Sequence, residues 1–225
     1  MTAPHTYTLR QALAAELVGT AFLLIAVVGS GIAAERLSNG IVGLALLANA
    51  LATAGALFAL IVTLGPVSGA HMNPVVTQAA VFMSGFARRK AVAYIAAQIV
   101  GAILGVWVAH VMFELPILEV STHVRTGVGQ WTAEVVATVG LLGVVLGCRR
   151  YETPTTAGAV AAYIGGAYWF TASTSFANPA VTIARSLTDT FAGIRPADAP
   201  GFIVAQVAAL VLVLLLGRRQ NASLC

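Results

Sequence analysis

Six stretches of this chain are each long and apolar enough to cross a lipid bilayer, at about 9–32, 41–65, 89–113, 130–148, 157–174 and 199–217. A hydrocarbon core about 30 Å thick needs about 20 such residues in a helix. Lipid offers no water to unpaired backbone groups, so a chain that crosses it does so as helices or as a closed barrel. Runs of this length are helices. Composition agrees: of 225 residues, 59% are hydrophobic and 9% charged, against about 25% charged in a soluble domain. Mean hydropathy is +0.90. These figures exclude a soluble globule, a disordered chain, a disulfide scaffold and a nucleic-acid module. The two cysteines, Cys148 and Cys225, are far apart without metal-ligand spacing and are expected at helix ends on a reducing side. The start of the chain leads into an apolar stretch too long for a signal peptide.

Two further apolar stretches, about 74–83 and 179–187, are too short to span. At about 1.5 Å per residue, Asn73–Met83 reaches about 16 Å, half a membrane. Both are expected to be re-entrant half-helices, with Pro66–Met72 as the non-helical link returning to the midplane before the first. In a six-span arrangement Arg10, Arg88-Arg89-Lys90, Arg149-Arg150 and Arg218-Arg219 fall on one face. Arg36, Arg125 and Arg195 fall on the other, among Glu35, Glu114, Glu119, Asp189 and Asp198. The excess of basic residues predicts that both termini are cytoplasmic.

The halves mirror each other. Ser68-Gly-Ala-His-Met-Asn73-Pro74-Val75-Val-Thr77 answers Ser173-Thr-Ser-Phe-Ala-Asn178-Pro179-Ala180-Val-Thr182, with the asparagines 105 positions apart. Glu16 answers Glu134, and Gln98 answers Gln206. Three spans per half is an odd number, so the second half must be inverted relative to the first. The repeats are expected at 9–113 and 130–217 with a connector at 114–129, and chemistry is expected at the midplane where broken helices meet. Asn caps a helix and Pro fits its first turn. One Asn-Pro is ordinary capping. Two, opening opposed half-helices, would aim positive dipole ends at one point and leave amide donors for a neutral solute while repelling cations.

The buried polar residues carry alternative readings. Glu16 and Glu134 could relay protons or accept orphan N–H groups of the re-entrant loops, and their symmetry favours acceptors. Gln98 and Gln206 are expected to bond between helices, and Gly101-xxx-Gly105 and Gly143-xxx-Gly147 to mark close helix packing. His71 is either an inner pore-lining group or a satisfied structural histidine.

With six spans, two half-helices and paired Asn-Pro-Ala-type motifs, the chain resembles the aquaporin (major intrinsic protein) family along essentially its whole length. The resemblance implies a single channel domain over 1–225, a homotetramer with one pore per subunit, membrane lipid and small neutral solutes as partners, no nucleic acid, no cofactor and no metal. It implies a multi-pass protein of the cell inner (plasma) membrane. Two departures stand out. The first motif reads Asn73-Pro74-Val75, with Val in place of Ala. The family's arginine directly after the second motif is replaced by Val181. Counting the family's offsets from the two motifs gives an inferred selectivity filter of Thr53, Gly166, Ser175 and Val181, while a one-residue shift would bring in Phe176. Arg185, one turn beyond Val181, is expected either at the outer mouth or in an ion pair with Asp189. The stretch from Asn178 through Gly193 looks like a bacterial branch found beside arsenic-resistance functions.

The function expected is a passive channel for small neutral solutes with an unusually wide, arginine-less filter, passing glycerol, arsenite, possible methylated arsenicals and water. The alternatives are an ordinary water or glycerol pore narrowed by Phe176, or a proton-coupled transporter using Glu16 and Glu134. Catalytic activity is not expected, since the sequence has no Ser/His/Asp set, metal cluster or phosphate loop.

Overall fold

The computed structural model describes residues 7–222, and Cys225 lies outside them. Eight helices follow one another among these residues: α1 (Leu9–Leu37), α2 (Val42–Ser68), α3 (Pro74–Met83), α4 (Arg88–Met112), α5 (Val128–Cys148), α6 (Thr153–Phe170), α7 (Pro179–Arg185) and α8 (Ala199–Ala222). Five of the long helices have the length and hydropathy of a span. The sixth, α6, does not reach that threshold, because threonine, glycine and tyrosine dilute its apolar residues. The half-helices α3 and α7 have 10 and 7 residues.

Local chemistry sets the ends. Thr8 and Gln11 form a reciprocal capping box at the start of α1. Asn73 and Asn178 cap α3 and α7, each with proline at the first turn. The link expected over Pro66–Met72 is shorter than the sequence suggested. Helix α2 continues through Pro66 to Ser68 and stops at Gly69, whose φ of 87° supplies the left-handed C-cap. A proline so near a helix end removes one backbone donor, which the remaining turns tolerate.

Exchanging the two halves leaves the packing pattern unchanged. α1 packs on α2 and α4 as α5 packs on α6 and α8, and α2 meets α6 across the middle. Each half-helix crosses over: α3 also touches α8, and α7 also touches α4. The tightest seam is α1 against α4, where a Cβ on Gly101 or Gly105 would collide with the carbonyls of Leu17 and Ala21. Gly143 and Gly147 have nothing within 4 Å of a would-be Cβ. That second pattern therefore does not mark close packing, because it faces away from neighbouring helices. Exposed apolar side chains such as Phe22, Leu51, Val108, Val204 and Leu215 cover the outside of the bundle. An apolar exterior of this extent suits lipid rather than water.

Candidate functional site

The half-helices meet at their N-termini through a reciprocal bond. Asn73 Nδ2 donates to the carbonyl of Ala177 and Asn178 Nδ2 to that of Met72, both at 2.8 Å. Each Oδ1 accepts from its own helix, from Val75 N in one case and from Ala180 and Val181 N in the other. An amide NH2 has two protons. One on each asparagine crosses between the halves, and both residues line a shared cavity.

The loops leading into these caps are strained alike. Ala70 and Met72 have φ of 46° and 45°, and Ser175 and Ala177 have 53° and 47°. Non-glycine residues hold the left-handed region only when their surroundings impose it. Here two buried carboxylates do so. Glu16 accepts from His71 N, Met72 N, Ser68 Oγ and Gln98 Nε2 at 2.7–2.9 Å. Glu134 accepts from Phe176 N, Ala177 N and Gln206 Nε2 at 2.6–2.9 Å. The second amide proton of each glutamine goes to a half-helix threonine, Gln98 to Thr77 and Gln206 to Thr182. All four residues of the Glu–Gln pairs are fully buried.

One cavity of about 370 Å³ runs past this junction. Its walls are largely apolar, with Leu57, Ile61, Val160 and Ile164 on one side and Leu23, Val27 and Leu141 on another. Near one end stand His71, Ser84, Phe86 and Arg149. The His71 ring lies 5.2 Å from Phe86 and 5.5 Å from Tyr94, with Nδ1 3.2 Å from Thr77 Oγ1. That hydroxyl already gives its single proton to Asn73 O, so we assign Nδ1–H as the donor.

Toward the other end stand Thr53, Tyr168, Ser175, Phe176, Val181 and Arg185. Gly166 is not among them: it is exposed on the outside of α6, against Phe170. The inward stripe of α6 is Val160, Ile164 and Tyr168, spaced by four, and a residue two positions off that stripe points nearly the opposite way. Tyr168, absent from the sequence-derived set, lines the cavity instead, with its hydroxyl 3.2 Å from Thr53 Oγ1. The helical period of α6 was the signal for it.

Arg185 is 2% exposed, which rules out an open mouth position. The ion pair with Asp189 is not made either. Asp189 accepts from the Thr122 N–H and hydroxyl at 2.7 and 2.9 Å, and the Thr122 N–H holds its carboxyl below the usual range. Arg185 instead donates from Nε to Ala192 O and stacks on Phe176, with Cζ 3.4 Å from the ring centre. Arg125 from the connector approaches the same ring at 5.4 Å and is tied to Gly193 O and Phe191 O. Burial lowers its guanidinium from the ordinary value. Among the described residues no group of His, Cys, Asp and Glu side chains is arranged to hold a metal.

Residues 4–177 match the family described as Major intrinsic protein. The chain is 50% identical over 204 residues to Aquaglyceroporin AqpS of Rhizobium meliloti (strain 1021), covering 91% of this chain and 87% of that one. It is 37% identical over 114 residues to Probable aquaporin AqpM of Archaeoglobus fulgidus, covering 44% of this chain and 46% of the relative. Among solved structures, that of the aquaglyceroporin from Plasmodium falciparum has a TM-score of 0.72 over 97% of this chain and 98% of that one. At 23% identity this is a likeness of fold.

Proposed function

The chain belongs to the major intrinsic protein family, and from that premise we propose that it is a passive membrane channel for small neutral solutes, with water and glycerol foremost. The observation that carries the proposal is the pair of asparagine-capped half-helices opening on one cavity. Their N-termini set a positive potential at the centre, and the free amide protons offer donors to a hydroxyl. Apolar walls opposite these donors suit a solute with C–H groups on one side and oxygens on the other. The name of the AqpS relative supports glycerol as a permeant.

The finer reading concerns width. Val181 directly after the second motif places no fixed cation at that point, which favours solutes wider than water: glycerol, arsenite and methylated arsenicals. The absence of arginine applies to that position alone, because Arg185 lines the same cavity. The domain is read as a homotetramer of single-pore subunits in the plasma membrane, with both termini cytoplasmic. Proton coupling through Glu16 and Glu134 is disfavoured, since their oxygens are filled by loop N–H groups and glutamine amides.

Swelling of proteoliposomes in parallel gradients of water, glycerol, arsenite and a methylated arsenical tests the proposal. A channel equilibrates each permeant solute without an ion gradient. Uptake that requires a proton gradient would overturn the channel reading.

A further inference from the structure

One buried imidazole takes no part in the cavity. His110, in the last turn of α4, is fully buried and does not line the cavity wall. Its Nδ1 lies 2.7 Å from Pro116 O in the connector, and its Nε2 lies 2.8 Å from Thr188 Oγ1 in the loop after α7. A carbonyl can only accept, so we assign the ring proton to Nδ1, and Nε2 of the neutral ring accepts from the Thr188 hydroxyl. Thr188 has then given its single proton, so it accepts in turn from Thr190 Oγ1 at 3.0 Å. The hydrogen bonds run one way, from Thr190 through Thr188 and His110 to Pro116.

Charged groups surround this chain of bonds. Glu119 of the connector has Oε2 4.0 Å from His110 Nε2, and the same oxygen accepts from Asp189 N at 3.1 Å. Glu119, Asp189 and Thr190, with the exposed Glu35 and Arg36 of α1, line a second pocket of about 160 Å³ that is open to water. His123, exposed on the connector, lies 3.9 Å from Asp189. From α7 the charged group is Arg185, whose Nε donates to Ala192 O in the same loop as Thr188. That loop is tightly folded: a Cβ on Gly193 would collide with the carbonyls of Thr188 and Thr190. A shift at Thr188 therefore reaches Ala192.

We propose that His110 is a proton-sensing positioning residue: its protonation at Nε2 rearranges the loop from Thr188 to Ala192 and lowers flux through the channel. The inference rests on the channel reading. The proton comes from water in the second pocket. With both ring nitrogens donating, Nε2–H takes Thr188 Oγ1, Thr188 turns its proton to Thr190, and Thr190 turns its own to the pocket. A charged ring in a fully buried place needs a counter-ion, and Glu119 is the carboxylate within reach. Drawing Glu119 onto the ring takes it from Asp189 N, so the loop loses a tie. Ala192 O then no longer holds Arg185 to the cavity wall, and the guanidinium moves into the path of the solute. The imidazole is the side chain whose charge changes between about pH 5 and 8.

The test uses the full chain in vesicles with equal pH inside and out, and reads glycerol swelling between about pH 5 and 8. The native protein is expected to swell about threefold or more faster at about pH 7.5 than at about pH 5. His110→Gln offers a carbonyl to Thr188 and an amide proton to Pro116 but takes no charge, so its rate should not change with pH. His123→Gln should keep the native response. A native rate that is flat over this range overturns the proposal, as does a response that survives His110→Gln or is lost in His123→Gln. If His110→Gln is not recovered folded, Glu119→Gln decides. Its amide oxygen still accepts from Asp189 N but supplies no counter-ion, so the response should shrink to about half or less. An undiminished response there overturns the proposal. Failure of the channel reading is seen separately, as native protein that does not swell in glycerol at any pH.

Discussion

Two residues before Asn73 stands His71, and two residues before Asn178 stands Phe176. Around both positions the scaffold is the same: a carboxylate on the loop N–H groups, a glutamine bridging it to a threonine, and a serine hydroxyl accepting from the loop two residues on. The side chains that meet the cavity differ. His71 packs against Phe86 and Tyr94 beside the exposed Arg149 end. Phe176 packs against Phe202, which answers Tyr94, and carries Arg185 and Arg125 on its ring. What is symmetric holds the two asparagines at one point. What is asymmetric distinguishes the two ends of the cavity, and selectivity is assigned to the Phe176 end.

The strongest way to break this comparison is to attack the scaffold. Glu16→Gln and Glu134→Gln each turn an acceptor toward donors and orphan loop N–H groups, at about 1–3 kcal/mol per donor. Folded yield and thermal stability in detergent should fall in both, more for Glu16, which holds four donors against three. Stability unchanged in either would break the claim that the carboxylates impose the loop geometry. Next come Asn73→Asp and Asn178→Asp, which set a carboxylate at the junction of the helix N-termini. Neutral flux should fall roughly tenfold, or cations should begin to pass. Swelling and leak assays should give similar effects for the two, because their hydrogen bonds are reciprocal.

Smaller changes sharpen the contrast. Gly101→Ala forces a methyl against the Leu17 carbonyl and should cost about 1–3 kcal/mol. Gly143→Ala, in open space, should be neutral within about 0.5 kcal/mol in the same thermal-melt comparison. Tyr94→Phe makes the first half resemble the second at this position. It removes the bond from the Tyr94 hydroxyl to Ser68 O and should cost about 0.5–1.5 kcal/mol. The ratio of glycerol to water permeability should not change, since selectivity is assigned to the other end.

The apolar runs and doubled Asn-Pro motifs made the helices and their repeat legible, because span length and capping depend on local chemistry. α6 was mis-framed because lost hydropathy blurred its start and counting offsets from Asn178 ignored its helical face. That error put Gly166 rather than Tyr168 on the cavity wall. Arg185 was out of reach for a different reason. Whether a long side chain runs outward to Asp189 or folds back onto Phe176 depends on which carbonyl meets its Nε, and Ala192 comes from a loop with no regular pattern. Arg125, placed from the connector against the same ring, had no sequence signal at all.

The most direct test of the account is the glycerol-to-water permeability ratio of native protein and Val181→Arg, measured by stopped-flow swelling of the same lipid vesicles. The account predicts that a guanidinium at Val181, facing the one already present on Arg185, cuts glycerol flux by about tenfold or more and leaves water flux within about twofold. A Val181→Arg channel that passes glycerol as fast as the native protein would contradict it, because selectivity would then lie outside the Phe176 end.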